Sequence, residues 1–294
     1  MRKRYGLPYK GSKNAIAREI VDFLPSSEVL VDICAGGCAV THAALESGKW
    51  ERVVANDVNE GIVRLFLDAV EGKYRGEKRW VSREDFYAQK DNDPWIKWCW
   101  SFGNNGEDYM YAKEIEAYKK ALHEMLFAET VNERRVKYRA VLAELNKYLI
   151  AVGKYPGGDV SLTSLQSLQS LESLERLQSL ESLESLQSLE ISSKDYAEVE
   201  IPRGAVVYAD IPYEGTDCKG YGNFDHARFY EWAAAQNEAV YVSSYEIADT
   251  RFTEVWCRKK TVLSGSKGTE KHAIEKIYAN EAGVRALGIL WGGA

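Results

Sequence analysis

Long apolar runs, paired cysteines and histidine are all scarce in this chain, and each scarcity excludes something. Nothing approaches the roughly 20 consecutive apolar residues that a membrane-spanning helix needs, so no membrane partner is expected. The opening MRKRYGLPYKGSK is basic, but no apolar stretch comes after it, and it does not read as a secretory signal. The 5 cysteines (Cys34, Cys38, Cys99, Cys218, Cys257) show no CxxC spacing, and only 4 histidines accompany them. No metal site is expected, and a reduced, cytoplasmic setting is the simplest reading. An excess of positive charge is missing too. The net charge of −6 argues against a chain coated in nucleic acid, though not against a local footprint.

What is present suits a soluble protein with a real core: 45% hydrophobic residues, 28% charged, and a length of 294 that allows one large domain or two modest ones. The 8 Trp and 18 Tyr read mainly as packing. Lys and Arg gather at Arg2 to Lys13, Lys73 to Arg83, Arg134 to Arg139 and Arg258 to Lys271. Each group is either a solvated surface or a phosphate contact.

Residues 14–24, NAIAREIVDFL, have helical apolar spacing and stop at Pro25. EVLVDICAGGCAVTHAAL then reads as strand, glycine turn and helix. WERVVANDVNEGIVRLFLDAV repeats the scheme, with a strand over Arg52 to Ala55 and a helix from about Asn59. This alternation predicts an α/β fold with a parallel sheet and right-handed crossovers. The pattern changes near residue 72. WIKWCWSF (95–102), GNNG and EDYMYA suggest an aromatic β-hairpin with Asn105-Gly106 at its turn. Residues 112–150 are strongly helical in composition. In 161–190, 10 leucines recur at every third position from Leu162 to Leu189. Three residues turn about 300°, so the stripe slips roughly 60° per triplet around an α-helix. A length-tolerant insert is the simplest expectation, with a stacked ribbon as the alternative. After it, EISSKDYAEV and AVVYADIPY are β-like, FDHARFYEWAAA is a helix capped by Asp225, and VYVSSYEI and EKIYAN supply closing strands.

Three pieces carry chemistry. DICAGGCAV is a strand ending in Asp32, a turn in which Gly36 and Gly37 permit close backbone approach, and a helix start suited to an anion. A tight structural turn is the alternative. ANDVN places Asp57 at the end of the next strand, where a carboxylate can accept from both hydroxyls of a ribose; an N-cap is its alternative role. VVYADIPYEGT ends a buried strand on Asp210, and Pro212 stiffens the turn beyond it. An Asp-Pro turn explains this plainly. The sharper reading is that Asp210 and the Ile211 carbonyl accept from a planar exocyclic amine as it attacks a methyl group, while Tyr213 stacks on the base.

In order and spacing, YKGSK (9–13), DICAGGCA (32–39), ANDVN (55–59), SSKDY (192–196), VVYADIPYEGT (206–216), VSSY (242–245) and EKIYAN (275–280) resemble the Dam-type (D12 class) adenine-specific DNA methyltransferases. The resemblance covers roughly 1–70 and 190–285. It implies a Rossmann-like, S-adenosylmethionine-dependent methyltransferase domain over 1–71 and 191–294. A mainly helical target-recognition lobe over 72–160 would be inserted in it, followed by the leucine tract at 161–190. The implied reaction is site-specific methyl transfer from S-adenosyl-L-methionine to adenine in duplex DNA, on a flipped base, with Asp210, Ile211, Pro212 and Tyr213 catalytic. Lys10, Lys13 and the loop Cys34, Ala35, Gly36, Gly37, Cys38 would hold the cofactor's methionine portion, Asp57 its ribose and Asp195 its adenine edge. Tyr9, Asp32, Tyr196 and Asp210 complete the cofactor set. Lys73, Arg75, Lys78, Arg79, Trp98, Asn104, Asn105, Arg134 and Arg135 become candidate DNA contacts. A cognate restriction nuclease is a candidate partner, and a monomer or weak dimer is expected. The chain departs from the family pattern at Ile33 and Cys34, where proline and phenylalanine are usual, and at Ile211, which replaces the first proline of the catalytic turn. Two other readings stay open: the same fold acting on RNA or another planar amine, and a catalytically weakened DNA-binding relative.

Overall fold

The computed structural model describes residues 4–151, 168–180, 183, 188–214, 224–263 and 270–288. Cys218, the Gly215-Thr216 turn and most of the leucine tract lie outside these residues. Two compact units divide the chain: Met1–Gly6 with Ser12–Val63 and Leu183–Ala294, and Leu7–Gly11 with Arg64–Ser182.

The first unit carries a 7-stranded sheet. Its strands are β1 (Val29–Asp32), β2 (Arg52–Asn56), β3 (Leu189–Ser192), β4 (Val206–Ala209), β5 (Ala239–Ser244), β6 (Thr253–Leu263) and β7 (Glu270–Ala279), in the order β3-β2-β1-β4-β5-β7-β6. Strands β1 to β5 pair in parallel, as the strand–helix alternation predicts. β7 runs antiparallel to both β5 and β6. The charged run WCRKK concealed β6, which the sequence pattern does not announce.

Every residue of β1, β4 and β5 is buried. A parallel sheet covered on both faces produces such continuous apolar strands. The helix Ala17–Phe23 ends because Pro25 drives Leu24 to an extended ψ of 142°. The helix Ala39–Ser47 ends at Gly48, whose φ of 62° supplies a left-handed cap. Phe229, Tyr230 and Ala233 of the helix His226–Ala234 pack into one core with Val31, Ile33, Val207, Ala209, Ile211 and Val242. The strand order reverses between β1 and β4. Open α/β sheets bind ligands outside the carboxyl ends of the strands at such a switch point.

The second unit is mainly helical. Residues 95–102 do not form the first arm of a hairpin: Pro94–Cys99 is a helix. Asp93 caps it by accepting from the amides of Trp95 and Ile96, and Pro94 at its start needs no amide partner. Antiparallel pairing survives only as an isolated bridge between Ser101 and Tyr109. The helices Lys113–Leu126 and Val131–Ala151 account for the helical composition of 112–150. The leucine triplets include a 12-residue helix, Gln169–Leu180. Ser170, Ser173, Leu174, Leu177 and Leu180 are its buried residues, while Leu171 is half-buried. At about 100° per residue the buried five fall within an arc of roughly 120°. The small serines fill the face as the leucine stripe slips off it.

Candidate active site

Four strand ends on either side of the switch point each deliver a carboxylate. Asp32 closes β1. Its Oδ2 accepts from both the amide (3.0 Å) and the hydroxyl (2.6 Å) of Thr41, in the helix after the glycine turn. Burial raises the Asp32 pKa to about 7, with the Thr41 bonds opposing the shift. Within the turn, the Ala35 amide donates to the Asn56 carbonyl at 2.8 Å, and Gly36 and Cys38 adopt left-handed φ angles of 48° and 55°. Gly6 lies against this turn: a Cβ there would stand 2.3 Å from the Gly37 carbonyl oxygen and 2.6 Å from the Ala39 nitrogen. Only glycine tolerates both that contact and its φ of 67°.

Asp57 comes directly after β2 and is buried. Its Oδ2 accepts from the Gly36 amide at 2.8 Å and its Oδ1 from the Asn59 amide at 2.9 Å. The residue therefore fastens the glycine turn to the end of β2. Helix capping falls to Asn59, whose Oδ1 accepts from the Ile62 amide at 3.3 Å. Burial raises the Asp57 pKa, and the two amides work against that rise. Asn56 is a knot that the motifs do not single out. Its Nδ2 donates to the Ile33 and Lys194 carbonyls (3.2 and 3.0 Å), and its Oδ1 accepts from Ser192 and the Lys194 amide (2.8 and 3.0 Å).

Asp195 sits just beyond β3 and forms a bidentate pair with Arg228, at 2.8 and 2.9 Å. That pair holds its pKa below the usual carboxylate range. Arg228 also lies 5.0 Å over the ring of Tyr196, which is buried among Phe229 and Trp232.

Beyond β4 comes Asp210, 2.5 Å from the ammonium of Lys13. Lys13 is only 6% exposed and lies 3.5 Å from a second acid, Glu275 of β7. Burial alone would lower the Lys13 pKa, but Asp210 and Glu275 together raise it above the ordinary lysine value. Glu275 Oε1 also accepts from the hydroxyls of Tyr213 and, at 3.3 Å, Ser243. Tyr213 is thus held at its hydroxyl. Its ring stands edge-on to Tyr245 at 4.5 Å, with Lys13 4.8 Å from its centroid. Ile211 points into the core, 2% exposed, and the Pro212 carbonyl accepts from His226 Nε2 at 2.7 Å.

These acids converge. Burial raises the Cys34 thiol pKa well above its ordinary value, and Asp57, Asp32, Asp210 and Asp195 all add to the rise. The strands β3, β2, β1 and β4 are parallel neighbours, so all four carboxylates stand at the same carboxyl edge of the sheet. Glu275 carried a sequence signal. Ala273, Glu275, Ile277 and Ala279 share one register of β7, and a carboxylate in phase with apolar residues marks a buried acid.

Tyr9 and Lys10 belong to the second unit: Tyr9 packs edge-on to Trp98 at 4.8 Å, and the Lys10 amide donates to the Asn104 carbonyl. There Trp98 is buried, the Asn104 amide group donates to the Trp98 carbonyl at 2.8 Å, and Asn105 Oδ1 accepts from the Glu107 and Asp108 amides. Lys73, Arg75, Lys78, Arg79, Arg134 and Arg135 are exposed, with Lys73 paired to Asp68 and Lys78 to Glu129. No helix among the described residues is long and apolar enough to cross a membrane.

Comparison with protein families matches residues 9–241 to the model described as D12 class N6 adenine-specific DNA methyltransferase. No match was found among curated proteins.

Proposed function

The chain belongs to the D12 class N6 adenine-specific DNA methyltransferase family and is a DNA adenine methyltransferase, and from that premise we propose its donor, its substrate geometry and its working residues. The donor is S-adenosylmethionine, which supplies an activated methyl group when bound, and the substrate is an adenine flipped out of duplex DNA. One observation carries this reading: parallel neighbouring strands bring Asp195, Asp57 and Asp210 to one carboxyl edge of the sheet, astride the switch point, where Asp57 binds the Gly36 amide of the glycine turn.

The residues present fit such a donor. A carboxylate offers about four acceptor sites, so the two amides on Asp57 leave capacity for a ribose diol. Asp195, fixed by Arg228, keeps acceptor capacity for the amine of the cofactor's adenine. Gly36 and Gly37 let backbone approach the methionine portion. On the substrate side, the target amine is a weak nucleophile, because its lone pair is delocalised into the ring. Asp210 and the Ile211 carbonyl accept its hydrogens and stabilise the positive charge that grows as it attacks. Lys13 occupies Oδ1 of Asp210 without exhausting the carboxylate. Tyr213, anchored by Glu275, offers a ring for the base to stack on. The exposed cations of the second unit are assigned to DNA phosphates.

Transfer of labelled methyl from S-adenosylmethionine to duplex DNA, single-stranded DNA and RNA tests this. Transfer to adenine in the duplex is expected. Asp210→Ala should abolish it with cofactor affinity nearly unchanged, and Asp57→Ala should weaken cofactor affinity by about tenfold or more, the loss of a hydrogen bond to a charged group. Full activity in Asp210→Ala, or preference for RNA, overturns the reading.

A further inference from the structure

We propose that His226 is a positioning residue for the catalytic turn: through Pro212 it fixes the angle between the Ile211 carbonyl and the Tyr213 ring. This inference rests on the functional reading of Asp210 to Tyr213.

The turn needs such a device. A proline ring fixes φ at its own position and restricts the residue before it, but leaves rotation about its own ψ. Only Pro212 supplies a ring here, since Ile211 stands at the preceding position. Ile211 is anchored instead by its side chain, 2% exposed in the core shared with Phe229 and Ala233. The remaining freedom is ψ of Pro212, which sets the Ile211–Pro212 peptide plane against the plane leading to Tyr213. The Pro212 carbonyl is the group that rotates with ψ, and it is the one His226 binds, at 2.7 Å. A carbonyl only accepts, so the hydrogen resides on Nε2.

The clamp is itself well supported. His226 opens the helix His226–Ala234, whose N-cap Asp225 accepts from the Arg228 amide at 2.9 Å. The His226 ring packs edge-on to Phe224 at 5.0 Å. Phe229 and Ala233 bury the same helix in the core that holds Ile211. Turn and clamp therefore pack into one core. Loss of the bond would free ψ without dismantling the fold, and a misplacement of about 1 Å at reacting groups can cost on the order of a hundredfold in rate.

The test compares His226→Ala with His226→Gln, whose amide can still donate to the carbonyl. In the whole 294-residue chain, His226→Ala should lower kcat on duplex DNA by roughly ten- to a hundredfold, with the KM for S-adenosylmethionine within about twofold of wild type. His226→Gln should recover most of the loss. Hydrogen exchange at the Tyr213 and Glu214 amides should quicken in His226→Ala and return towards wild type in His226→Gln. Unchanged exchange in His226→Ala, equal losses in both variants, or a parallel loss of cofactor affinity overturns the proposal. If the wild-type chain transfers no methyl to DNA, the functional reading fails, and the exchange measurement alone decides the clamp.

Discussion

Replacing Lys13 by methionine keeps most of the side chain's length and leaves Asp210 and Glu275 with no cation between them. At the observed 2.5 and 3.5 Å, the two attractions are worth roughly 7 and roughly 5 kcal/mol at an effective dielectric of about 20. Desolvation of the buried ammonium and of Glu275 offsets most of this. Removing one member of a buried ion pair typically costs about 3–5 kcal/mol. Asp210 is 22% exposed and partly screened, which places the expected loss near the lower end, at about 3 kcal/mol. That corresponds to a fall of roughly 6–12 °C in the thermal midpoint. The Lys13 pKa is raised in the folded state, so its contribution is complete below about pH 10 and is lost as pH rises further through the folded value. The decisive comparison adds Glu275→Gln. The amide still accepts from Tyr213 and Ser243 but removes one of the two stranded charges, so the double variant should recover about 1–2 kcal/mol relative to Lys13→Met. Denaturant titrations of wild type, both single variants and the double variant measure the cycle. A Lys13→Met protein as stable as wild type, or a double variant weaker than Lys13→Met, would refute the three-charge arrangement.

Two further outcomes are expected. Asp32 has a folded pKa of about 7 against about 3.9 unfolded, so its protonated form is favoured by folding, and its contribution to stability should decline as pH rises from about 4 to about 7. Asp32→Asn keeps an acceptor for Thr41 and removes that titration; its stability relative to wild type should climb over the same interval and then level off, and parallel pH–stability curves would contradict this. Gly6→Ala forces a Cβ to 2.3 Å from the Gly37 carbonyl at a φ of 67° and should cost about 2 kcal/mol or more, whereas Gly11→Ala, with no atom within 4 Å, should cost about 1 kcal/mol. Equal unfolding midpoints for the two alanine variants would dismiss the close approach at the turn.

Local pattern carried far in this chain. Apolar runs ending in an acid marked β1, β2 and β4, since a parallel strand buried on both faces must be apolar throughout and its carboxyl end is the first place a polar side chain can stand. Those ends hold Asp32, Asp57 and Asp210. Pro25 and Asp225 announced a helix end and a helix start by fixed backbone chemistry. Two elements went the other way. Trp95 to Cys99 is aromatic enough for a strand, but the Asp93 cap and Pro94 make it a helix. β6 hid behind its charges because an edge strand gains its hydrogen bonds from a partner, here β7, that local composition does not reveal.

The residues around the strand ends were legible one by one; their meeting was not. Lys13 and Asp210 are 197 positions apart, and Tyr213 and Glu275 are 62 apart. No periodicity links such positions, because side-chain spacing reports only which face of its own element a residue occupies. By itself the sequence determined most of the elements, their buried faces and the carboxylates at the strand ends. The tertiary structure alone decided that Lys13 is shared between two acids, that Asn59 rather than Asp57 caps the helix after β2, and that His226 reaches the Pro212 carbonyl. The sharing of Lys13, and the engagement of Asp57 by the Gly36 amide that leaves the cap to Asn59, depend on strand order and on the crossovers that bring distant strand ends to one edge of the sheet.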